Sequence, residues 1–310
     1  MNLKKPFFWD LPKPNIISYI LTPFTIPIML RNFFLDCFIK KKNYKIKTIC
    51  VGNIYLGGTG KTPLTIKIFE ILKKLNHKVA TVKKYHKNQI DEQLLLEQKT
   101  TLIISKSRKT AVLKALQMNY ETLVFDDGLQ DADINFDKKI VCFKTNSWIG
   151  NGQLIPSGPL REKIESLKKY DVVFLNGIFE NSEIIKNQIK SINSKIKIFE
   201  SKYEVLDLKK YNLNSKYLIF SGIGNPSDFK NLLLENKFKI STEITFPDHF
   251  NYKDKDLEKI INIANQQDLK ILTTEKDYVK IPKKYKNKIE YLAIDLVIKN
   301  KDDFFKLLIN

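Results

Sequence analysis

The sequence predicts an α/β protein with a mostly parallel sheet carrying helices on both faces, joined to a second, smaller α/β domain and an apolar N-terminal segment. Three observations predict it. A short apolar run, Thr48-Ile49-Cys50-Val51, leads through the glycine-rich Gly57-Gly58-Thr59-Gly60-Lys61-Thr62 into residues 63–72, whose apolar spacing is helical. Strand-like runs then keep alternating with helical patterns, the signature of parallel strands linked by helices. The 310 residues are 43% hydrophobic, enough for two separate cores and too apolar for a disordered chain.

At the N-terminus, residues 16–30 are apolar apart from Ser18, Thr22 and Thr25, and Pro23 and Pro27 interrupt them. Arg31 follows, then Phe33-Phe34-Leu35, Cys37-Phe38-Ile39 and Lys40-Lys41-Lys42. The apolar stretch is 15 residues, against about 20 for a spanning helix. A secretory signal is not expected, because no small-residue cleavage site stands out. The segment, residues 1–40, reads as interfacial: Phe7, Phe8, Trp9 and Tyr19 suit the headgroup level, and the lysines suit an anionic membrane surface. A helical hairpin packed on the core is the ordinary alternative.

The strand, glycine loop and helix make a phosphate cradle of the P-loop NTPase-like kind. Backbone N–H groups and the positive helix end face an anion, Lys61 reaches the terminal phosphates and the Thr62 hydroxyl can hold Mg²⁺. Pro63 suits a first helical turn. The strict pattern has glycine at position 55, where this chain has Tyr55. Further strands are expected at 79–82, 101–104, 122–125, 140–143 and 172–175, all within a domain spanning 41–205. A Lys- and Asn-rich stretch from about Asn181 to 216, holding the strand-like Ile196-Lys197-Ile198-Phe199, reads as a link to the second domain, 206–310. That domain opens with the strand Tyr217-Leu218-Ile219-Phe220. Helices follow after Ser227 and over 254–265, strands near Ile271 and Leu292, and a last helix from Asp302.

The formal charge is +19, from 53 basic and 34 acidic side chains, which suits anionic partners. No RNP, helix-turn-helix or zinc-finger pattern is present, so nucleic acid is not an expected partner. The basic residues are lysine except Arg31, Arg108 and Arg161, and arginine kept in such a lysine-biased chain points to bidentate recognition of phosphate or carboxylate. Cys37, Cys50 and Cys142 form no C-x-x-C pair, which fits a reducing cytoplasm without a disulfide framework.

Asp126-Asp127 ends the apolar run Leu123-Val124-Phe125, and a carboxylate at a strand tip beside a P-loop is where Mg²⁺ is usually oriented. Asp91-Glu92 precedes the helical residues 93–98, His249 sits in Phe246-Pro247-Asp248-His249-Phe250, and Arg161-Glu162 follows Pro156-Ser157-Gly158-Pro159-Leu160. Each admits an ordinary reading alone: a helix cap, a solvated histidine, a surface ion pair.

Taken together with Val51-Gly52-Asn53-Ile54-Tyr55-Leu56 before the glycine loop and Asp126-Asp127-Gly128-Leu129-Gln130 after it, these motifs resemble tetraacyldisaccharide 4'-kinase, the lipid A kinase of Gram-negative inner membranes. The resemblance extends through Gly222-Ile223-Gly224-Asn225-Pro226, Phe246-Pro247-Asp248-His249 and Thr273-Thr274-Glu275-Lys276-Asp277 and covers nearly the whole chain. That family's P-loop also lacks the first glycine. The resemblance implies ATP and Mg²⁺ as cofactors, with ATP on Gly57, Gly58, Thr59, Gly60, Lys61 and Thr62. It implies γ-phosphoryl transfer to the 4'-hydroxyl of a tetraacylated glucosamine disaccharide 1-phosphate, giving lipid IVA at the cytoplasmic face of the inner membrane. It implies Asp91 and His249 as the dyad that accepts the hydroxyl proton, and Lys61, Arg108 and Arg161 as stabilisers of the transferring phosphoryl group. Thr62, Asp126, Asp127 and Glu162 form the magnesium group, and Gln130 supports the nucleotide side. With His249 in the second domain and Asp91 in the first, a cleft that closes on substrate is expected. The chain departs from the family at Lys83-Lys84-Tyr85, where an Arg-Gly-Tyr segment is usual, and at Asp131, where histidine is usual. A membrane-associated regulatory P-loop NTPase and a lipid-binding scaffold are the competing readings. Loss of turnover with retained ATP binding on removing Asp91 or His249 separates the kinase from both.

Overall fold

A computed structural model describes residues 5–177 and 182–309. Residues 1–4 of the N-terminal segment and Asn181, with which the expected link opens, lie outside the described residues. In chain order the elements begin with α1 (Ile16–Leu21), a 3-10 turn (Thr22–Thr25), α2 (Ile26–Phe38), β1 (Lys47–Gly52), α3 (Lys61–Lys74), β2 (Val79–Lys84), α4 (Ile90–Lys99), β3 (Leu102–Ser105), α5 (Arg108–Gln117), β4 (Thr122–Asp126), β5 (Lys138–Lys144) and β6 (Val172–Asn176). They continue with α6 (Ser182–Ile192), β7 (Lys197–Val205), β8 (Lys216–Ser221), α7 (Pro226–Glu235), β9 (Lys239–Thr245), α8 (Asp254–Gln266), β10 (Lys270–Thr274), α9 (Glu275–Tyr278), β11 (Glu290–Leu292), β12 (Ile294–Ile298) and α10 (Lys301–Ile309).

The chain forms two compact units, and neither is contiguous in sequence. The larger holds Lys5–Tyr85, Thr100–Lys202 and the residues from Ile298; the smaller holds His86–Lys99 and Tyr203–Val297. The two continuous domains expected from the sequence differ from this at two helices. Helix α4 groups with the smaller unit, where Lys99 pairs with Glu275 at 2.5 Å. Helix α10 groups with the larger, where the Phe304 ring meets Phe174 and Phe199 at centroid distances of 5.4 and 5.0 Å.

In the larger unit, parallel strands run in the order β7-β6-β5-β1-β4-β2-β3. β4 and β6 are buried along their whole length, and they read as unbroken apolar runs because helices cover a parallel sheet on both faces. The stretch expected as a link is itself structured. Its amphipathic α6 buries Ile185 and Ile189, and β7 joins the sheet edge beside β6.

In the smaller unit, four parallel strands run β11-β10-β8-β9. The period-two alternation of β8 divides its apolar side chains between two cores. Leu218 and Phe220 pack with Leu257, Ile260 and Ile261 of α8; Tyr217 and Ile219 pack with Phe229 and Leu233 of α7. β9, half-exposed at the edge, was not among the strands expected.

The N-terminal segment differs from expectation in length. Ile16–Phe38 is a helical run of 23 residues with mean hydropathy 1.3, long and apolar enough by length and composition to cross a membrane. Pro23 and Pro27 do not break it, because each sits in the first turn of its element, where the missing N–H has no helical partner to lose. Its polarity is inverted. Ser18 and Thr25 are buried, while Ile16, Tyr19, Ile20, Phe24, Leu30 and Phe33 are each more than 60% exposed. The buried polar face is bonded to the larger unit: Asn151 Nδ2 donates to Ser18 Oγ (2.9 Å), and Asn32 Nδ2 donates to Arg161 O (2.9 Å).

Candidate active site

The loops that leave the carboxyl ends of β1, β4 and β5 meet where the chain's connections diverge from β1, the usual ligand position in an open parallel sheet. After β1, Asn53 Nδ2 donates to Tyr55 O (2.6 Å) and Gly57 O (3.2 Å) and so shapes the glycine loop. Gly57 (φ 144°) and Gly60 (φ 86°) take left-handed backbone angles that a side chain would strain, and Gly60 caps α3 with its N–H groups unsealed by any side chain. Tyr55 is a core residue rather than a loop residue. It packs on Leu154 and Leu160, and its hydroxyl donates to Asp10 at 2.7 Å. Backbone pairing draws in the segment that carries Arg161 and Glu162: Leu56 N donates to Pro159 O (2.8 Å) and Arg161 N to Ile54 O (2.6 Å).

β4 delivers the paired aspartates. Parallel register sets Asp126 opposite Val51 of β1 and Lys83 of β2. Lys83 Nζ donates to Asp126 Oδ2 at 2.7 Å, with both side chains essentially excluded from solvent. Thr62 Oγ1 donates to the same oxygen (3.1 Å), and Thr65 Oγ1 approaches Oδ1 (3.4 Å). Asp127 adopts the left-handed region (φ 60°), which turns its carboxylate toward Arg161 NH1 at 3.0 and 3.3 Å. Burial pushes the Asp127 carboxyl up, but the charges of Lys61, Arg161 and Lys83 outweigh it and hold the group below the ordinary carboxylate range. Gln130 Nε2 bridges Asn53 O (3.1 Å) and Glu162 Oε1 (2.8 Å), while Tyr170 OH donates to Glu162 at 3.0 Å. Arg108 NH1 donates to Asp131 at 3.0 Å and NH2 to the Asp127 carbonyl. Lys61, Thr62, Arg108, Asp126, Asp127, Gln130, Arg161 and Glu162 therefore belong to one connected set in the larger unit.

Asp91 and His249 were expected in different domains; both belong to the smaller unit and touch. His249 Nδ1 lies 2.8 Å from Asp91 Oδ1 and 3.0 Å from Oδ2. Asp91 stands in the first turn of α4 at 1% exposure, and its Oδ1 also accepts from Glu92 N (2.9 Å). His249 reaches it from a turn with φ 59°, fixed by His249 N donating to Gly222 O (3.1 Å). A left-handed histidine is uncommon, and the strain is the kind that collects at functional positions. Burial raises the Asp91 carboxyl, but the His249 hydrogen bond and the charges of Lys276, His249 and Lys280 prevail and lower it overall.

The residues present fit a nucleotide and a magnesium ion. Thr59 Oγ1 and Asn53 Oδ1 are buried at the glycine loop without a hydrogen-bond partner among the described residues, as is Arg108 Nε. Buried polar atoms of this kind need a partner such as a water, an ion or a ligand atom. The Thr62 hydroxyl and Asp126 carboxylate are hard oxygen donors side by side, the few-ligand arrangement that Mg²⁺ completes with water and phosphate oxygens. Among the described residues no cluster of three or more His, Cys, Asp or Glu side chains could hold a metal ion by itself. The sequence reading did not single out Tyr170 or Lys280, and it named Lys83, Asp131 and Lys276 without giving them a part in the site. A signal existed for Lys83, which directly continues the apolar run Val79-Ala80-Thr81-Val82 on the same strand.

The chain is similar to known proteins over nearly its whole length. The sequence model of the LpxK family, tetraacyldisaccharide-1-P 4'-kinase, matches residues 19–310. A relative from Pelagibacter ubique (strain HTCC1062) named tetraacyldisaccharide 4'-kinase is 47% identical over 309 residues, covering 100% of this chain and 98% of its own. One of the same name from Rickettsia typhi (strain ATCC VR-144 / Wilmington) is 30% identical over 319 residues, covering 97% of each. The crystal structure of the "apo" form of LpxK from Aquifex aeolicus in complex with ATP superposes with TM-score 0.73 at 22% identity, over 95% of this chain and 99% of that one. At that identity the likeness speaks to the fold alone.

Proposed function

The chain belongs to the tetraacyldisaccharide-1-phosphate 4'-kinase family and is a lipid A 4'-kinase; from this premise we propose that it transfers the γ-phosphoryl group of ATP to the 4'-hydroxyl of a tetraacylated glucosamine disaccharide 1-phosphate, giving lipid IVA. The Asp91–His249 contact at 2.8 Å carries this reading, because a phosphate loop alone serves kinases and NTPases equally, whereas a hydroxyl acceptor calls for a group that takes its proton.

Each residue has a distinct task. The amides of residues 57–62 and the Lys61 ammonium cradle the phosphates. When bound, ATP supplies the phosphoryl group and Mg²⁺ neutralises charge on its phosphate oxygens. Thr62 and Asp126 would hold that ion, with Asp127 and Glu162 completing the acidic group around it. Arg161 and Arg108 stabilise charge that grows on the phosphoryl oxygens. Gln130 keeps Glu162 and the Asn53 carbonyl in register. Asp91 orients the imidazole through Nδ1, and the Asp91–His249 pair takes up the 4'-hydroxyl proton. The outward apolar face of residues 16–38 seats the enzyme on the cytoplasmic face of the inner membrane, where lysines meet anionic lipid.

Incubation of purified protein with ATP, Mg²⁺ and the disaccharide 1-phosphate in detergent should yield a product heavier by one phosphate in mass spectrometry. Asp91→Ala and His249→Ala should abolish turnover while leaving ATP binding intact. Folded protein that forms no phosphorylated product removes this reading.

A further inference from the structure

The segment Thr274-Glu275-Lys276-Asp277 and the nearby Lys280 have no part in the roles assigned above, yet they close around Asp91. Lys276 Nζ lies 3.7 Å and Lys280 Nζ 3.6 Å from Asp91 Oδ2, while His249 takes the other side of the carboxylate. The lysines are themselves built in. Lys280, with its side chain 6% exposed, pairs with Asp277 at 2.9 Å, donates to Phe250 O at 2.9 Å and lies over the Tyr252 ring at 5.1 Å. Asp277 is fully buried and accepts from Gly222 N (2.9 Å), Thr274 Oγ1 (2.8 Å) and Tyr252 OH (3.0 Å), so Lys280 has little freedom to leave. Lys276 is held by Glu92 at 3.5 Å and Asp248 at 3.3 Å, and Asp248 also faces His249 Nε2 at 3.6 Å. Gly222 links the two halves of the arrangement: its N–H bonds Asp277 and its carbonyl accepts from His249 N.

We propose that Lys276 and Lys280 are positioning residues that clamp the Asp91 carboxylate against His249 and set the pH range over which the Asp91–His249 pair takes up a proton. The proposal rests on the reading of that pair as the proton acceptor. A carboxylate flanked by two fixed ammonium groups stays ionised and keeps one orientation, so the imidazole it holds presents the same nitrogen at every turnover. The acids facing the pair, Glu92, Asp248 and Asp277, are spent on the two lysines rather than on the histidine alone. Burial disfavours the Lys276 ammonium, but Glu92, Asp248 and Asp91 prevail and raise it, so its charge is constant through the working range.

The chain has three histidines, so the His249 imidazole can be followed by NMR in the full-length protein and assigned by its loss in His249→Gln. Lys276→Met and Lys280→Met should each raise the His249 titration midpoint by on the order of one pH unit, and the Arg variants should restore it. In the kinase assay the acid limb of the kcat profile should move up equally, with KM for ATP unchanged. Midpoints that stay within about 0.2 unit of wild type in the Met variants overturn the clamp. Should Lys280→Met not fold, the more exposed Lys276→Met carries the test. A shifted midpoint in a protein that phosphorylates nothing supports the clamp and removes the kinase reading. An unshifted midpoint in an active kinase does the reverse.

Discussion

Lys83 is the residue whose surroundings the sequence conceals most. It stands in an apolar strand, and only the register of β2 on β4 reveals that Asp126 is its neighbour. Sequence distance gives no hint of a pairing across 43 positions. Because both partners are excluded from water, Lys83→Met strips a buried carboxylate of its ammonium partner, and should cost about 3–5 kcal/mol in urea denaturation. Asp91 supports a second prediction. Its folded-state carboxyl is depressed, so its contribution to stability is fully present above the unfolded carboxylate value and is lost as pH falls through the lower folded one. The urea midpoint of wild type should therefore drop below about pH 4 more steeply than that of Asp91→Asn, and equal slopes would deny the depression. Tyr55 was legible only as a broken rule. Its physical reason, a ring filled into the Leu154–Leu160 contact, required the loop from another part of the chain.

Most elements were legible because parallel strands are continuous apolar runs and helices carry period 3.6. The failures have separate causes. The stretch from about Asn181 to 216 looked like a link because its lysines and asparagines lower its average hydropathy. The averaging hid a helix that buries one stripe and, beyond the strand-like 196–199, the further run of β7 to Val205. β9 escaped because, although its burial alternates strictly, its inward positions are only half-buried and just Ile240 and Ile244 of its seven residues are apolar. The apolar run of 16–30 stops at Arg31, whereas the helix continues past that charge to Phe38. Helix α10 was expected, but not its attachment, which depends on the Phe304 ring. That ring is fully buried against Phe174 and Phe199, so Phe304→Ala should lower stability by about 3–5 kcal/mol and free α10 to proteolysis, as a thermal melt and limited trypsin digestion would register.

At the scale of the molecule, the chain passes between its two units four times among the described residues, at 85–86, 99–100, 202–203 and 297–298. Composition cannot reveal such a path, since an inserted helix such as α4 differs in no local property from its neighbours. The Asp91–His249 pair was therefore legible as two residues of a family pattern, but not as two residues of one unit. Net charge and the outward apolar helix belong to this scale too. Removing residues 1–40 should weaken association with vesicles of acidic phospholipid in flotation assays, and the remaining attraction should fall as salt screens the lysines. Unchanged flotation would deny the helix that role.

Asn32 reaches from the apolar helix to the carbonyl of Arg161, and Asn151 ties Ser18 to the loop that precedes it. A strut fastened at both ends cannot slide without carrying its load. Any shift of residues 16–38 is therefore handed on to the backbone at Arg161, so the apolar helix and the segment that presents Arg161 and Glu162 travel as one piece.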